Sequence, residues 1–368
     1  MKITIDSAPL KRALSRAAGI IATRNTVPIL ETVLLKAGND ALMVEATDME
    51  ISVVETLPCK VALPGGFCVG GKALADIIAG FPSAPVEIEL ADNGRMRMKA
   101  GTYKAALATL DAKDFPLLQA KNLPVRFVLS ADVLRAVIKK VGFAQGTDTT
   151  RAYLNGIYMH VTADPERLLC FAATNGLMLA VSRQPMPDNA AKLPGVIIPT
   201  SSASQIAKII SDVEGDIYVG VSENLLELQV GTVTFSTKLT SGQFPEYKRL
   251  IPSGHKSRLR LMKTPLVEAL RLVSALQGKA VKLFVSESEV AVTGTSQEQG
   301  EASVTLVSGQ MELEGEPIEI GVWLRYMKDI ASATEGDVEL LMTDPLGPLV
   351  LTHCDDQSVQ YVTMPYRI

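Results

Sequence analysis

The chain has 368 residues, of which 47% are hydrophobic and 21% charged, enough for two or three domains with sizeable cores. Its 36 basic and 40 acidic residues leave a net charge of −4, which excludes a protein that grips nucleic acid over its whole surface. The start MKITIDSAPL is polar and alternating, no apolar run approaches the roughly 18 residues of a membrane span, and Cys59, Cys68, Cys170 and Cys354 are scattered without a Cys-x-x-Cys, so a cytoplasmic chain with core thiols and no membrane contact is expected.

In chain order, KITIDSAPLKRAL (2–14) opens with a short alternating strand and turns into a helix over 7–18. Leu10, Ala13, Leu14 and Ala17 make its apolar stripe, and Lys11, Arg12 and Arg16 fall outside it. Period-2 alternation follows in ALMVEATDMEISVVETL (41–57). A helix over 72–79 leads through a proline-bearing turn to a strand at Val86, and Phe115-Pro116 closes the stretch. RFVLSADVLRAVI (126–138) begins the same pattern again, with a helix over 131–141 that leaves Arg135, Lys139 and Lys140 outside its apolar stripe. A helix over 201–211, a strand at Ile217, the alternating LLELQVGTVTFSTKL (225–239) and Phe244-Pro245 complete it. RLRLMKTPLVEAL (258–270) opens a third round, with helices over 264–274 and 323–331, a strand at Val338 and a closing Met364-Pro365.

These landmarks recur in one order. Leu10, Leu134 and Leu266 anchor the first helix of each round; Ile78, Ile209 and Ile330 each stand eight residues before Val86, Ile217 and Val338. The period of about 120–130 residues is domain-sized rather than that of a solenoid unit. The expectation is three copies of one α+β domain, residues 1–123, 124–251 and 252–368, with antiparallel sheets carrying helices on one face. Threefold duplication suits a closed ring, which needs equivalent units with equivalent edges. The six helix windows carry eleven basic and four acidic residues within a chain that is acidic in total, the distribution of one shared basic surface able to face phosphates without reading bases.

Catalytic signatures are weak. GFCVGGKA (66–73) approaches the phosphate-loop pattern, but Ala73 stands where a hydroxyl would hold magnesium; a glycine-rich turn before a helix is the plainer reading. His160, His255 and His353 are far apart, Asp355-Asp356 and the Asp48–Glu50 pair fit solvated turns, and no metal or cofactor is expected. A phosphate-dependent enzyme using residues 66–73, or a peptide-binding scaffold without a DNA role, are the alternatives to a ring on DNA.

TVPILETVLL (26–35), RAYLNGIY (151–158), AATNGLMLAV (172–181), FSTKLTSGQFPEYKRLIP (235–252) and the ending YVTMPYRI resemble the bacterial sliding clamp family, the beta subunits of DNA polymerase III, over essentially the whole length. The resemblance implies a non-enzymatic processivity factor of three DNA-clamp domains per subunit, two subunits head to tail in a ring with helices lining the hole around duplex DNA. It implies tethering of the DNA polymerase III alpha subunit, the clamp loader and other proteins bearing a clamp-binding motif. Arg24, Lys72, Arg151 and Tyr153 match DNA-facing positions of the family, and Arg135 and Lys139 join them from the helix charges. Leu107, Leu272 and Val273 match apolar seam contacts, with Glu298 and Glu301 on the acidic side and Ala105 where well-known members have phenylalanine. A partner-peptide groove is implied at Leu154, Thr174, Gly176, Leu179, Pro245, Arg249, Leu250, Leu346, Val362, Met364, Pro365, Tyr366 and Arg367. Leu177 and Met178 replace a His-Arg pair common there, and Gly278 replaces a phenylalanine.

Overall fold

The structure, a computed structural model, describes residues 1–21, 26–118, 122–163, 166–354 and 356–367. Among them are six α-helices: α1 Ser7–Ile20, α2 Gly71–Gly80, α3 Ala131–Val141, α4 Thr200–Ile209, α5 Lys263–Ser274 and α6 Leu324–Ala333. They fall where the apolar periodicity predicts them. None is long and apolar enough to cross a membrane.

The repeat anchors are core residues. Leu10, Leu134 and Leu266 are buried, as are Ile78, Ile209 and Ile330 and their partners Val86, Ile217 and Val338. In each copy the eight-residue spacing carries the chain from the last buried turn of a helix, through a solvated turn, to the first inward residue of a strand.

The chain forms two compact units, made of residues 1–133, 187–192 and 204–239, and of residues 134–186, 193–203 and 240–368. The first holds a thirteen-stranded sheet. It runs from Val125–Ser130 through Asp216–Val221, Leu225–Val230 and Val233–Lys238 into Ile51–Pro58, and ends with Lys2–Ile5 and Lys60–Leu63. Strands of the second copy thus extend the sheet of the first, through antiparallel pairs such as Thr234 with Val54 and Ser236 with Ser52. The second unit holds a nine-stranded and a four-stranded sheet. In the larger one, Met178–Pro185 of the second copy pairs with Val359–Thr363 of the third, Met178 against Thr363 and Leu179 against Val362.

Two expectations change. Residues 65–70 are a strand rather than a glycine-rich turn, laddered to Thr32–Gly38 and, through Phe67–Val69, to Tyr103–Asp111. A backbone hydrogen-bonded in a sheet has no free row of amides with which to cradle phosphate. Gly71, the first residue of α2, is glycine because a Cβ there would collide with Ile21. On α1, Arg16 is not available to a ligand. Its guanidinium lies 2.9 and 3.0 Å from the two carboxylate oxygens of Glu55, a nearly buried side chain of the strand beneath. Lys11 donates to the Phe81 carbonyl at 2.6 Å, which leaves Arg12 as the exposed cation of that helix.

Candidate functional site

The second unit contains a cavity of about 450 Å³ whose walls are mostly apolar. One wall is the turn between the strands Leu168–Thr174 and Met178–Pro185. Asn175 Oδ1 accepts from the amides of Leu177 and Met178 at 2.9 Å, and Thr174 Oγ1 accepts from Gly176 while donating to the Met178 carbonyl. Gly176 has φ +93°, a left-handed conformation that glycine adopts without strain. The turn thereby fixes Leu177 on the rim, with 44% of it exposed.

The opposite wall is the 3-10 turn Tyr247–Leu250. Tyr247 anchors it: its ring is buried, packs edge-on against Phe244, and its hydroxyl shares a 2.8 Å hydrogen bond with His160 Nε2. Burial pushes the His160 imidazole below its usual value and the Tyr247 phenol above its own, so both are neutral at pH 7. With Tyr247 held inward, Arg249 and Leu250 project outward, and Arg249 pairs with Glu246 at 2.9 Å.

The third wall is the end of the chain. The Met364 amide donates to the Leu177 carbonyl at 2.9 Å, and Tyr366 is held by its amide on the Gly321 carbonyl and by its ring, edge-on to Trp323 at 4.8 Å. Beneath lies a core cluster of Ala172, Leu179, Val181, Ile197, Phe244, Tyr247, Val350 and Val362.

Of the residues implied for a groove, Thr174, Gly176, Leu177, Met178, Leu179, Arg249, Leu250, Val362 and Met364 line this one cavity. Leu154, Pro245, Leu346, Pro365, Tyr366 and Arg367 do not. Leu154 is buried and Leu346 is 68% exposed, while Tyr366 lines a separate polar cavity of about 690 Å³ with Gly278, Glu298 and Glu301. Pro252 and Pro348 line the groove and were not foreseen. Each stands within two residues of a foreseen position, Leu250 or Leu346, which is the only local signal they carry.

The other implied residues are more dispersed. Arg24 lies outside the described residues. Lys72 is half-buried on α2, and Arg135 and Lys139 sit on α3, where Lys139 meets Glu335 at 3.2 Å in a solvated pair. Arg151 pairs with Asp148 at 2.9 Å; hydrogen bonds from Thr150 and from Arg151 hold that carboxyl down at about 2. A Cβ on Gly176 would lie 3.2 Å from the Arg151 guanidinium, and Tyr153 packs on the groove's core cluster, so the structure brings both to the groove side of the second unit. Leu272 is 50% exposed on α5, but Val273, expected beside it at a seam, is 1% exposed and belongs to the buried stripe of Leu266, Ala269 and Leu270. Among the described residues no group of three or more His, Cys, Asp or Glu side chains is arranged to hold a metal.

Three helix-and-sheet copies and an apolar groove describe a binding protein of the clamp type. Models of the N-terminal, central and C-terminal domains of the DNA polymerase III beta subunit match residues 1–119, 128–246 and 248–367. The beta sliding clamp of Caulobacter vibrioides is 31% identical over 375 residues, covering 100% of both chains. Among solved structures, a sliding clamp of Bartonella birtlesii superposes with a TM-score of 0.95 at 31% identity, and one of Caulobacter crescentus with 0.94 at 30%, each covering 100% of both chains. The chain belongs to the DNA polymerase III beta-subunit family, the bacterial sliding clamps of DNA replication.

Proposed function

We propose that two copies of this chain, each of three clamp domains with boundaries near 123 and 252, close head to tail into a ring around duplex DNA. The ring tethers the DNA polymerase III alpha subunit, the clamp loader and other peptide-bearing partners through the groove.

The observation that carries this reading is a pair of unlike open edges. In the first unit, among the described residues, 103–108 of the strand Tyr103–Asp111 pair with Arg95–Ala100 on one side only, and nearby Arg97, Lys99 and Lys104 are basic. In the second unit, Gly300–Val307 is the edge of the four-stranded sheet, with Glu298 and Glu301 exposed on it or beside it. A basic edge and an acidic edge complement each other between copies and not with themselves, which favours a heterologous contact; rotation by half a turn closes it. Leu107 and Leu272 supply apolar area at that seam.

The mechanism is topological. Arg24, Lys72, Arg135 and Lys139 meet phosphates without reading bases, and a closed ring cannot leave the duplex sideways. Because the ring is held by its closure, the lining can let DNA slide. A partner bound in the groove rebinds at high effective concentration after each release, which is processivity, and the clamp makes and breaks no bond. The test is retention on circular DNA. A clamp assembled on a nicked plasmid should co-elute with it and be lost when the plasmid is linearised, and the free protein should have the mass of two chains at micromolar concentration. Equal retention on both DNA forms, or a strict monomer, would overturn the reading.

A further inference from the structure

The turn Tyr247–Leu250 carries Arg249 and Leu250 to the rim of the groove, and its own backbone does little to fix it there. Two of its hydrogen bonds are long, Arg249 to the Glu246 carbonyl at 3.3 Å and Ile251 to the Lys248 carbonyl at 3.4 Å, and no side chain caps its start. From Glu246 to Leu250 only Tyr247 is buried. So short a 3-10 turn is placed by the side chain it buries rather than by its own ladder.

That side chain completes a closed set of four rings. Tyr158 stacks on His160 and on Phe244, each at 4.7 Å between centroids, and Tyr247 lies edge-on to His160 at 5.8 Å and to Phe244 at 6.3 Å. Tyr158 and His160 are alternate residues of the strand Gly156–Val161 and so share a face. Tyr247 is 3% exposed, and a phenol so buried needs a hydrogen-bond partner. Phe244 offers none, and the Tyr158 hydroxyl is turned against Gly195, where a Cβ would collide with it. Cys170, opposite His160 on the next strand, also reaches the Tyr247 hydroxyl, but a thiol is a weak donor and a weak acceptor. The strong partner is His160.

The two ring nitrogens of His160 have fixed roles. Nδ1 lies 3.2 Å from the Val161 carbonyl, which only accepts, so Nδ1 carries the proton. Nε2, 2.8 Å from the Tyr247 hydroxyl, is then the acceptor of a neutral ring, and Tyr247 donates to it. Burial, with a smaller contribution from the Lys248 ammonium, disfavours the charged ring that would reverse those roles. His160 is not among the residues that line the groove; it reaches the rim only through Tyr247.

We propose that His160 is a positioning residue of the groove: by accepting the Tyr247 hydroxyl it holds the turn inward and sets Arg249 and Leu250 where a partner peptide meets them. The effect on partners rests on the groove being the peptide site; the placing of the turn does not.

His160→Phe keeps a ring in the stack and leaves a buried hydroxyl without its acceptor. The turn should loosen, and a labelled alpha-subunit tail peptide should bind about fivefold weaker in anisotropy titrations. His160→Gln offers an acceptor oxygen at similar reach and should bring affinity back to within about twofold of the unaltered chain. The double variant His160→Phe, Tyr247→Phe removes the orphaned hydroxyl together with its acceptor and should also restore affinity, which a loss through general destabilisation would not do. Amide exchange at Lys248–Ile251, followed without peptide, should be faster in His160→Phe and return to the unaltered rate in the other two variants. In the unaltered chain, whose histidines are His160, His255 and His353, nitrogen-15 spectra should show His160 protonated at Nδ1 and not at Nε2. Unchanged exchange in a folded His160→Phe chain, a double variant as weak as the single one, or a ring protonated at Nε2 overturns the proposal. An unaltered chain that binds no tail peptide overturns the groove reading instead, and exchange with the nitrogen spectra still decides the role of His160.

Discussion

Replacing Leu177 and Leu250 together with alanine should weaken a polymerase-tail peptide about thirtyfold. In the free chain Leu177 is 44% exposed and Leu250 53%, so about half of each side chain remains for a ligand to cover. Burying a whole leucine side chain is worth about 1.5–3 kcal/mol, so the uncovered half is worth about 1 kcal/mol at each position. Taken as additive, the pair contributes about 2 kcal/mol, or about thirtyfold in Kd. Leu154 and Leu179 behave differently. They are 4% and 3% exposed before any peptide arrives, so truncating either costs about 2–5 kcal/mol of fold stability and little affinity that a ligand could supply. The assay is fluorescence anisotropy with a labelled peptide from the alpha-subunit tail, run beside thermal melts of each variant. A double variant that melts normally and binds within about twofold of the unaltered chain refutes the reasoning. So would a Leu179→Ala chain that keeps its melting temperature and loses the peptide.

Two further outcomes follow from burial. Leu272→Glu, at an exposed position of α5, should shift the protein toward monomer at micromolar concentration without lowering its melting temperature, whereas Val273→Ala should lower the melting temperature; sedimentation velocity with melts checks both, and an unaltered dimer in Leu272→Glu removes that residue from the seam. Glu45, 5% exposed on Ala41–Thr47, is pushed by burial from 4.5 up to about 7, so between those values the folded chain holds a proton the unfolded chain has lost. Its contribution is present in full below pH 4.5 and is lost as pH rises through 7, at most about 3 kcal/mol. The stability of Glu45→Gln relative to the unaltered chain should therefore improve from pH 5 to pH 8 in urea titrations; a constant difference across that range would contradict a buried, protonated Glu45.

The helices and the opening strand of each copy were legible because each buries one face against a sheet, and burial of one face writes a period into the sequence. The joins between copies were not. Val233–Lys238 pairs with Ile51–Pro58 through main-chain groups, and no local pattern marks which edges will meet across so long a separation. Charge was legible by face but not by partner. Arg16 falls outside the apolar stripe of α1, yet its side chain is long enough to reach Glu55 on the strand beneath and is consumed there. Val273 was misplaced because adjacent helical residues point in different directions: the spacing of Leu266, Ala269 and Leu270 already assigns it inward, and Leu272 outward.

The groove shows why a repeat can be read for function as well as for fold. Phe115 and Phe244 close the first two copies and are 5% and 6% exposed, Phe115 packed with Leu34 and Cys68 of its own copy and Phe244 in the core cluster beneath the groove. Met364 holds the same place in the third copy and is 42% exposed. Its backbone is tied to Leu177 and its neighbour Tyr366 to Gly321 and Trp323, so the segment is held in place while the Met364 side chain stays uncovered. An exposed side chain on a backbone held in place becomes a wall of the groove. The flexible thioether then suits that wall to partners of differing shape. Replacing Met364 with phenylalanine, the residue of the first two copies, should therefore leave the melting temperature unchanged and narrow the set of peptides that bind. If Met364→Phe binds a panel of tail peptides with unchanged relative affinities, the side chain is a passive end of the chain and the wall is formed by Leu177 and Leu250 alone.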